Sequence, residues 1–265
     1  MNAVALGLDR TVIELKMYSR EKEAVFFSFL FPILMLALFS VIFGDSMEAG
    51  GAQMSAAEYF LPGMISAGVL LTSFQTMAMS VAAERDDGTL KRLRSTPMPP
   101  VSYFLGKVGL VVVTALAQQV VLLVVARFAF GVDLPDTAGR WITFAWVFGL
   151  GAFAGTVLGT AYSSLASART VGAVVVAPML LLQFISGVYF AFTDIPSWLQ
   201  QVASIFPLKW IAQGMRSVFF PDVMASMEMG GAWEHGRTAL VLVVWAVAGL
   251  ILCVLTFRWF KRGTT

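Results

Sequence analysis

The chain has 265 residues, of which 58% are apolar and 13% charged, and its mean hydropathy is +0.80. Soluble globular domains run about 45–50% apolar and about 25% charged, so that class is excluded. The formal charge of +2 is small and the bases are scattered around apolar runs, which argues against nucleic acid as a partner.

Residues 1–23 read as an interfacial helix on the cytoplasmic side, with Val4, Leu8, Val12, Leu15 and Tyr18 on one face and Ile13 and Met17 widening it. Such a helix either rests on lipid or docks on protein. Glu14, Glu21 and Glu23 precede the first apolar run, and that run is too long for a signal-peptide core, so it is expected to remain in the mature protein.

The fold class is all-α and polytopic. Six spans are predicted within a permease domain of residues 24–257, at 24–43, 59–82, 103–130, 141–165, 171–192 and 238–257. Lys107 and Arg127 sit near the two ends of the third and are expected to snorkel. Between spans two and three lies a charged island, residues 83–102. A helix leaves the membrane through Glu84 and Arg85, Gly88 breaks it, Thr89 caps a short helix carrying Leu90, Lys91, Arg92, Leu93 and Arg94, and Thr96 and Pro97 follow at its stop. Leu90 and Leu93 share a side and are expected to fill a groove on a partner subunit.

The fourth span carries Gly151, Gly155 and Gly159, followed by Ser163 and Ser167, at a strict spacing of four. Such a stripe permits close backbone approach, within one subunit or between two. In the fifth, Met179, Gln183 and Phe184 make a soft, amide-bearing surface which, with Gln75 of the second, is the expected lining of a substrate path. The other uncharged polar groups within the spans, Thr72, Ser73, Thr114, Gln118, Gln119, Thr156 and Thr160, read as helix-to-helix hydrogen bonders. Residues 193–236 begin with two short apolar helices, started by Pro196 and Pro207, that read as an outer re-entrant hairpin. From Pro221 the segment reads as a solvated loop. Residues 258–265 form a basic tail with Arg258, Lys261 and Arg262.

Lys and Arg set the orientation. Arg10, Lys16, Arg20 and Lys22, then Arg85 to Lys107, Arg169 and the tail all fall on one side of an even number of crossings, whereas the first opposite loop has Asp45 and Glu48 and no base. Both termini are predicted to be cytoplasmic. Cys253 and His235 are each the only residue of their kind, so neither a disulfide nor a Cys/His metal cluster is available. Gly106-Lys107 lacks the other glycine and the Ser or Thr of a phosphate-binding loop. No nucleophile–base pair lies at membrane depth, which disfavours an intramembrane enzyme. The chain is therefore read as a non-enzyme without cofactor or metal.

The run "YFLPGMISAGVLLTSFQTMAMSVAAERDDGTLKRLRSTPMPPVSYFLGK" from Tyr59 to Lys107 resembles the signature region of ABC-2 type transporter permeases, as does "SGVYFAFTDIPSWLQQVASIFPLKWIAQGMR" from Ser186 to Arg216. Pro32 in the first span also suits that family, whereas Lys91 stands where many members carry an acid. The resemblance implies a half-transporter in a bacterial cytoplasmic membrane: two permease copies, a homodimer for preference, with two separate ATPase subunits that bind ATP and Mg²⁺. It further implies export of hydrophobic or amphipathic compounds, drug-like or lipid-like, the alternative being a polysaccharide or lipid-linked glycan. The coupling segment to the ATPase would comprise Glu84, Arg85, Gly88, Thr89, Leu90, Arg92, Leu93, Thr96 and Pro97.

Overall fold

The computed structural model describes residues 2–44, 46–165, 167 and 169–257; the basic tail lies outside them. Helix α1 (Ala3–Arg20) is capped by the Asn2 side chain, which accepts from Val4 N, and turns at Glu21 into α2 (Lys22–Phe43). A hairpin follows, β1 (Met47–Ala49) against β2 (Ala52–Met54), with Met47 opposite Met54. Its two-residue turn is Gly50-Gly51, both at positive φ, as the primed hairpin turns require.

A capping box of Ser55 and Glu58 starts α3 (Ala56–Leu70). A π-helical turn at Leu71–Gln75 passes it into α4 (Thr76–Asp86), so Ala56–Asp86 is one helical rod. Short α5 (Thr89–Arg94) precedes α6 (Pro100–Phe130), which ends at left-handed Gly131. Then come α7 (Ala138–Tyr162) with a 3-10 turn at Ser163–Leu165, α8 (Val171–Ile185), α9 (Ser197–Ala203), α10 (Pro207–Phe219) and α11 (His235–Thr256). Among the described residues five helices have the length and apolar composition to cross a membrane: Lys22–Phe43, Ala56–Asp86, Pro100–Phe130, Ala138–Leu165 and His235–Thr256.

The core lies where α10 is enclosed by α3, α7 and α11. Leu61, Ile65 and Val69 of α3 meet Val147 of α7, Leu208, Ile211 and Met215 of α10, and Leu242 of α11. The outward sides stay apolar and uncovered, as at Val41, Phe128 and Val254, which suits contact with lipid tails. Helix α1 packs on α6 at one end of the bundle, where α5 packs on α4; this end is the basic face. The hairpin and residues 220–234 lie at the other end, the hairpin face.

Two expectations are corrected. The fifth apolar segment was expected to run to residue 192, but its helix stops at Ile185. Gly187 turns the chain at φ +73, and its carbonyl accepts from Arg216 Nη1 at 2.7 Å. At 1.5 Å per residue α8 spans roughly 22 Å, short of the ~30 Å hydrocarbon core. The segment from Pro221 is also not simply solvated. Met224 and Glu228 are buried, Arg216 Nε bonds Glu228 Oε1 at 2.5 Å, and Gln213 Nε2 donates to the carbonyls of Ala232 and Trp233.

Removing one partner of a buried ion pair leaves the other charge uncompensated and costs about 3–5 kcal/mol. Glu228→Ala is therefore expected to lower the unfolding temperature of the detergent-purified protein markedly, measured by dye-monitored melting. Glu48→Ala removes an exposed hairpin acid and is the control. Equal shifts in the two variants would show that the Arg216–Glu228 pair does not hold this segment.

Candidate functional site

Three helices each present two polar side chains one turn apart to a common centre at the basic face. These are Arg10 and Glu14 of α1, Ser80 and Glu84 of α4, and Tyr103 and Lys107 of α6. Lys107 Nζ donates to Glu14 Oε2 at 2.8 Å, Glu84 Oε1 at 2.8 Å and Ser80 Oγ at 2.7 Å, which uses all three ammonium protons. Tyr103 Oη donates to Glu84 Oε2 at 2.7 Å. Arg10 Nη2 lies 2.5 Å from Glu14 Oε1 and 3.4 Å from Glu84 Oε1. Two cations face two carboxylates, so the cluster is neutral as a whole. Lys107 is 1% exposed; it does not snorkel as its position near a helix end had suggested, because it has carboxylates to meet inside.

The approach of α1 to α6 depends on glycine. A Cβ at Gly106 would lie 2.3 Å from Arg10 Cγ, and one at Gly109 2.2 Å from Thr11 Oγ1. The face of α1 turned to the protein carries Gly7, Arg10, Glu14 and Tyr18, while Val4, Leu8 and Val12 are exposed. The apolar face that a soluble protein would bury is here turned outward.

The loop after Glu84 is built locally. Gly88 takes φ +79 and ends α4. Asp87 Oδ1 accepts from Thr89 N at 2.7 Å and so starts α5. The hydroxyls of Ser95 and Thr96 donate to the Arg92 and Leu93 carbonyls, each at 2.7 Å, and Pro97 prevents continuation. Leu90 is wholly buried in this chain's own cluster with Met77, Val81, Tyr103 and Val111, so it is not free to enter a partner's groove. Leu93 packs at the edge of that cluster, and Lys91, Arg92 and Arg94 are exposed. Arg85 Nη2 donates to the Ser163 carbonyl at 2.6 Å, joining α4 to the end of α7.

Beside the cluster a cavity of about 590 Å³ opens between the α1–α2 corner, α4 and α8. Gln75, Met179 and Gln183 line it. Phe184 does not; it is exposed and packs on Tyr189 and Phe190, since the next residue on a helix points about 100° away. Tyr18 also lines the cavity; burial raises its phenol above the ordinary value, so it is a neutral hydroxyl at physiological pH. Glu14 and Ser80 belong both to the cavity wall and to the ionic cluster.

Deeper in the bundle, Thr72 Oγ1 donates to Gln118 Oε1 at 2.6 Å, and Gln118 Nε2 donates to the Ser28 carbonyl at 2.6 Å. Thr114, Thr156 and Thr160 instead donate to carbonyls one turn back on their own helices. The glycine stripe packs within the chain. Cβ atoms at Gly155 and Gly159 would lie 2.1 Å from Ser73 Oγ and 2.3 Å from the Phe74 carbonyl oxygen, both on the π turn, and one at Gly151 2.9 Å from Ile211.

Arg10, Glu14, Ser80, Tyr103 and Lys107 were not singled out as a site from sequence. The signal is present: three polar pairs, each at i,i+4, where a single helix face is being addressed. Lys107→Met would leave two carboxylates facing one arginine. A loss of about 3–5 kcal/mol is expected, read as a lower unfolding temperature, with Lys91→Met, at an exposed site, unchanged. An unchanged melting temperature for Lys107→Met would contradict the cluster's structural role.

A family model described as ABC-2 type transporter matches residues 10–220. The chain is 22% identical over 192 residues to the "Probable multidrug ABC transporter permease YbhR" of Escherichia coli, covering 72% of this chain and 50% of that one. To the Escherichia coli "Inner membrane transport permease YadH" it is 23% identical over 231 residues, 84% of each chain. To the Bacillus subtilis "Putative transport permease YvfS" it is 24% identical over 266 residues, 96% of each. The chain thus spans about half the length of the YbhR protein it matches and nearly all of YvfS. With the match covering the helices that build the cluster and the cavity, the chain belongs to the ABC-2 type transporter family, a family of membrane-embedded transport subunits.

Proposed function

We propose that this chain is the transmembrane permease subunit of an ATP-driven exporter that moves hydrophobic or amphipathic compounds, paired with a second copy and powered by two separate ATPase subunits. The observation that carries the reading is that Glu14 and Ser80 are shared between the ionic cluster and the cavity wall. A push on α5 reaches α4 through buried Leu90, and reaches Lys107 through Glu84. From Lys107 it passes to two residues that line the cavity. The walls suit amphipathic cargo: Met79, Met179 and Phe31 are adaptable and apolar, and Gln75 and Gln183 supply a few fixed polar groups.

The orientation that fits is basic face inward, with both termini cytoplasmic. Lys91, Arg92 and Arg94 are exposed there, whereas Glu48 and Asp222 are exposed at the hairpin face. This follows the rule that short cytoplasmic loops carry the Lys and Arg. In this reading α8 is the fifth of six crossings, completed by residues 186–192, and α9–α10 form a re-entrant hairpin. Trp245 Nε1 donates to the Ile205 carbonyl at 2.6 Å. Trp245 lies ten residues inside α11, about 15 Å along it, which supports a turn between α9 and α10 at about the depth of mid-membrane. Drug-like cargo accords with the printed name of YbhR.

The test is co-expression with a cognate ATPase subunit, reconstitution, and measurement of substrate-stimulated ATP hydrolysis with transport of amphipathic dyes. Leu90→Ala opens a cavity where α5 is anchored, a change that costs about 2–5 kcal/mol in a core, whereas Lys91→Ala removes an exposed charge worth about 0–1 kcal/mol. Leu90→Ala is expected to abolish stimulation and Lys91→Ala to leave it largely intact. Gln183→Ala and Met179→Ala are expected to change which dyes are moved. Full stimulation in Leu90→Ala, together with an unaltered dye profile in both cavity variants, would refute the proposal.

A further inference from the structure

A second cleft, of about 430 Å³, adjoins the first across Met179, which lines both, and lies between α8, α7, α11 and the α3–α4 rod. Leu158, Leu182 and Leu252 are among its walls, and hydroxyls occur only towards the basic face, at Tyr162, Ser164 and Thr256. Those hydroxyls are already engaged with carbonyls, of Val174, Ala161 and Leu252 respectively. The other end is shut. Phe206 stacks on Trp245 with centroids 6.3 Å apart, and Trp245 is tied to the Ile205 carbonyl.

From Trp245 to Thr256 is eleven residues, about 16 Å along α11, close to half of a ~30 Å hydrocarbon core. The cleft is therefore about one leaflet deep, with the Phe206–Trp245 stack at one end and the hydroxyls at the end towards the basic face. Its rim carries positive charge. The Arg85 guanidinium lies on the Ser163 carbonyl, next to rim residue Ser164, with Asp86 as its neighbouring acid. Arg169 is exposed just before α8. Along its length α8 is buried only through Val171, Val175, Met179 and Gln183, one stripe four residues apart, and Met179 of that stripe stands between the two cavities.

We infer that this cleft is a binding site for an anionic phospholipid, with one acyl chain lying between α7, α8 and α11 and the phosphate at the Arg85–Arg169 rim. Chain-shaped apolar walls of single-leaflet depth select a lipid tail, and a basic cytoplasmic rim between spans selects an anionic headgroup. The lipid would act as a packing element between α8 and the α7–α11 pair, separated from the amide-lined cavity by Met179. Only the name of the leaflet, inner, rests on the orientation proposed above; the site itself needs neither that orientation nor a transport activity.

The full chain, without ATPase subunits, is reconstituted in phosphatidylethanolamine vesicles that contain a minor fraction of phosphatidylglycerol bearing a photoreactive group at the acyl terminus. After irradiation the adducts are mapped on peptides. The expected result is labelling concentrated at Trp245 and Phe206. Unlabelled phosphatidylglycerol should compete about tenfold better than phosphatidylcholine, as a few basic groups at a membrane surface allow. Ala161→Phe and Leu252→Phe, which narrow the cleft from two different helices, should each reduce the labelling about tenfold by removing the chain's apolar seat, with melting temperature as the folding control. Labelling spread over Val41, Phe128 and Val254, or indifferent to headgroup, would mean annular lipid only and overturn the assignment. Loss of labelling on dimerisation would show a second copy in the cleft and overturn it equally.

Discussion

The Lys107 ammonium is the point on which the basic face is assembled. Its three acceptors come from α1 and α4 while it stands on α6, so one cation fixes the register of three helices. A buried charge is costly unless every proton finds a partner, and here each does. The geometry explains why α1 can lie with its charged face inward. Val4, Leu8 and Val12 stay exposed, while Arg10 and Glu14 turn inward and gain the cluster. Gly106 and Gly109 are the steric condition for it, since any side chain there would hold α1 away.

A second constraint sits one layer deeper, at the π turn Leu71–Gln75. Helix α7 presses on it through Gly155 and Gly159. The turn lets α3, bound into the core with α10, and α4, which carries Ser80 and Glu84, follow different registers in one rod. Gln75 at the end of the turn faces the cavity, while Thr72 reaches Gln118 on α6. Such turns recur at functional positions because they break helical phase without breaking the helix. The rod therefore links a half packed into the core near the hairpin face to a half whose last turns carry the ionic cluster and α5.

Much of the fold was legible. Apolar runs of about the right length mark the spanning helices, Gly88 and Pro97 bracket α5, and Pro207 starts α10. Apolar length alone failed at α8, because a run extending to Phe192 does not reveal that Gly187 turns the chain and that Arg216 holds it there. It also misread Leu90. A leucine in a charged island looks available to a partner, yet it folds back on Met77 and Tyr103. Of the four residues expected along a substrate path, Gln75, Met179 and Gln183 share one cavity wall, whereas Phe184 falls one helical step away. The ionic cluster was the least legible part. Its partners are up to 93 residues apart, and only the repeated i,i+4 polar pairs hint that three helices face one another.

The central claim is that the Glu84–Lys107 contact transmits motion between α5 and the cavity wall, beyond holding the helices together. The most direct measurement is a double-mutant cycle on substrate-stimulated ATP hydrolysis in the assembled complex, using Glu84→Gln, Lys107→Met and the pair together. Residues in one network couple by roughly 0.5–3 kcal/mol. The account predicts that each single variant loses stimulation while basal hydrolysis and assembly persist, and that the double variant is no worse than either. Losses that simply add, or stimulation that survives in the single variants, would contradict it.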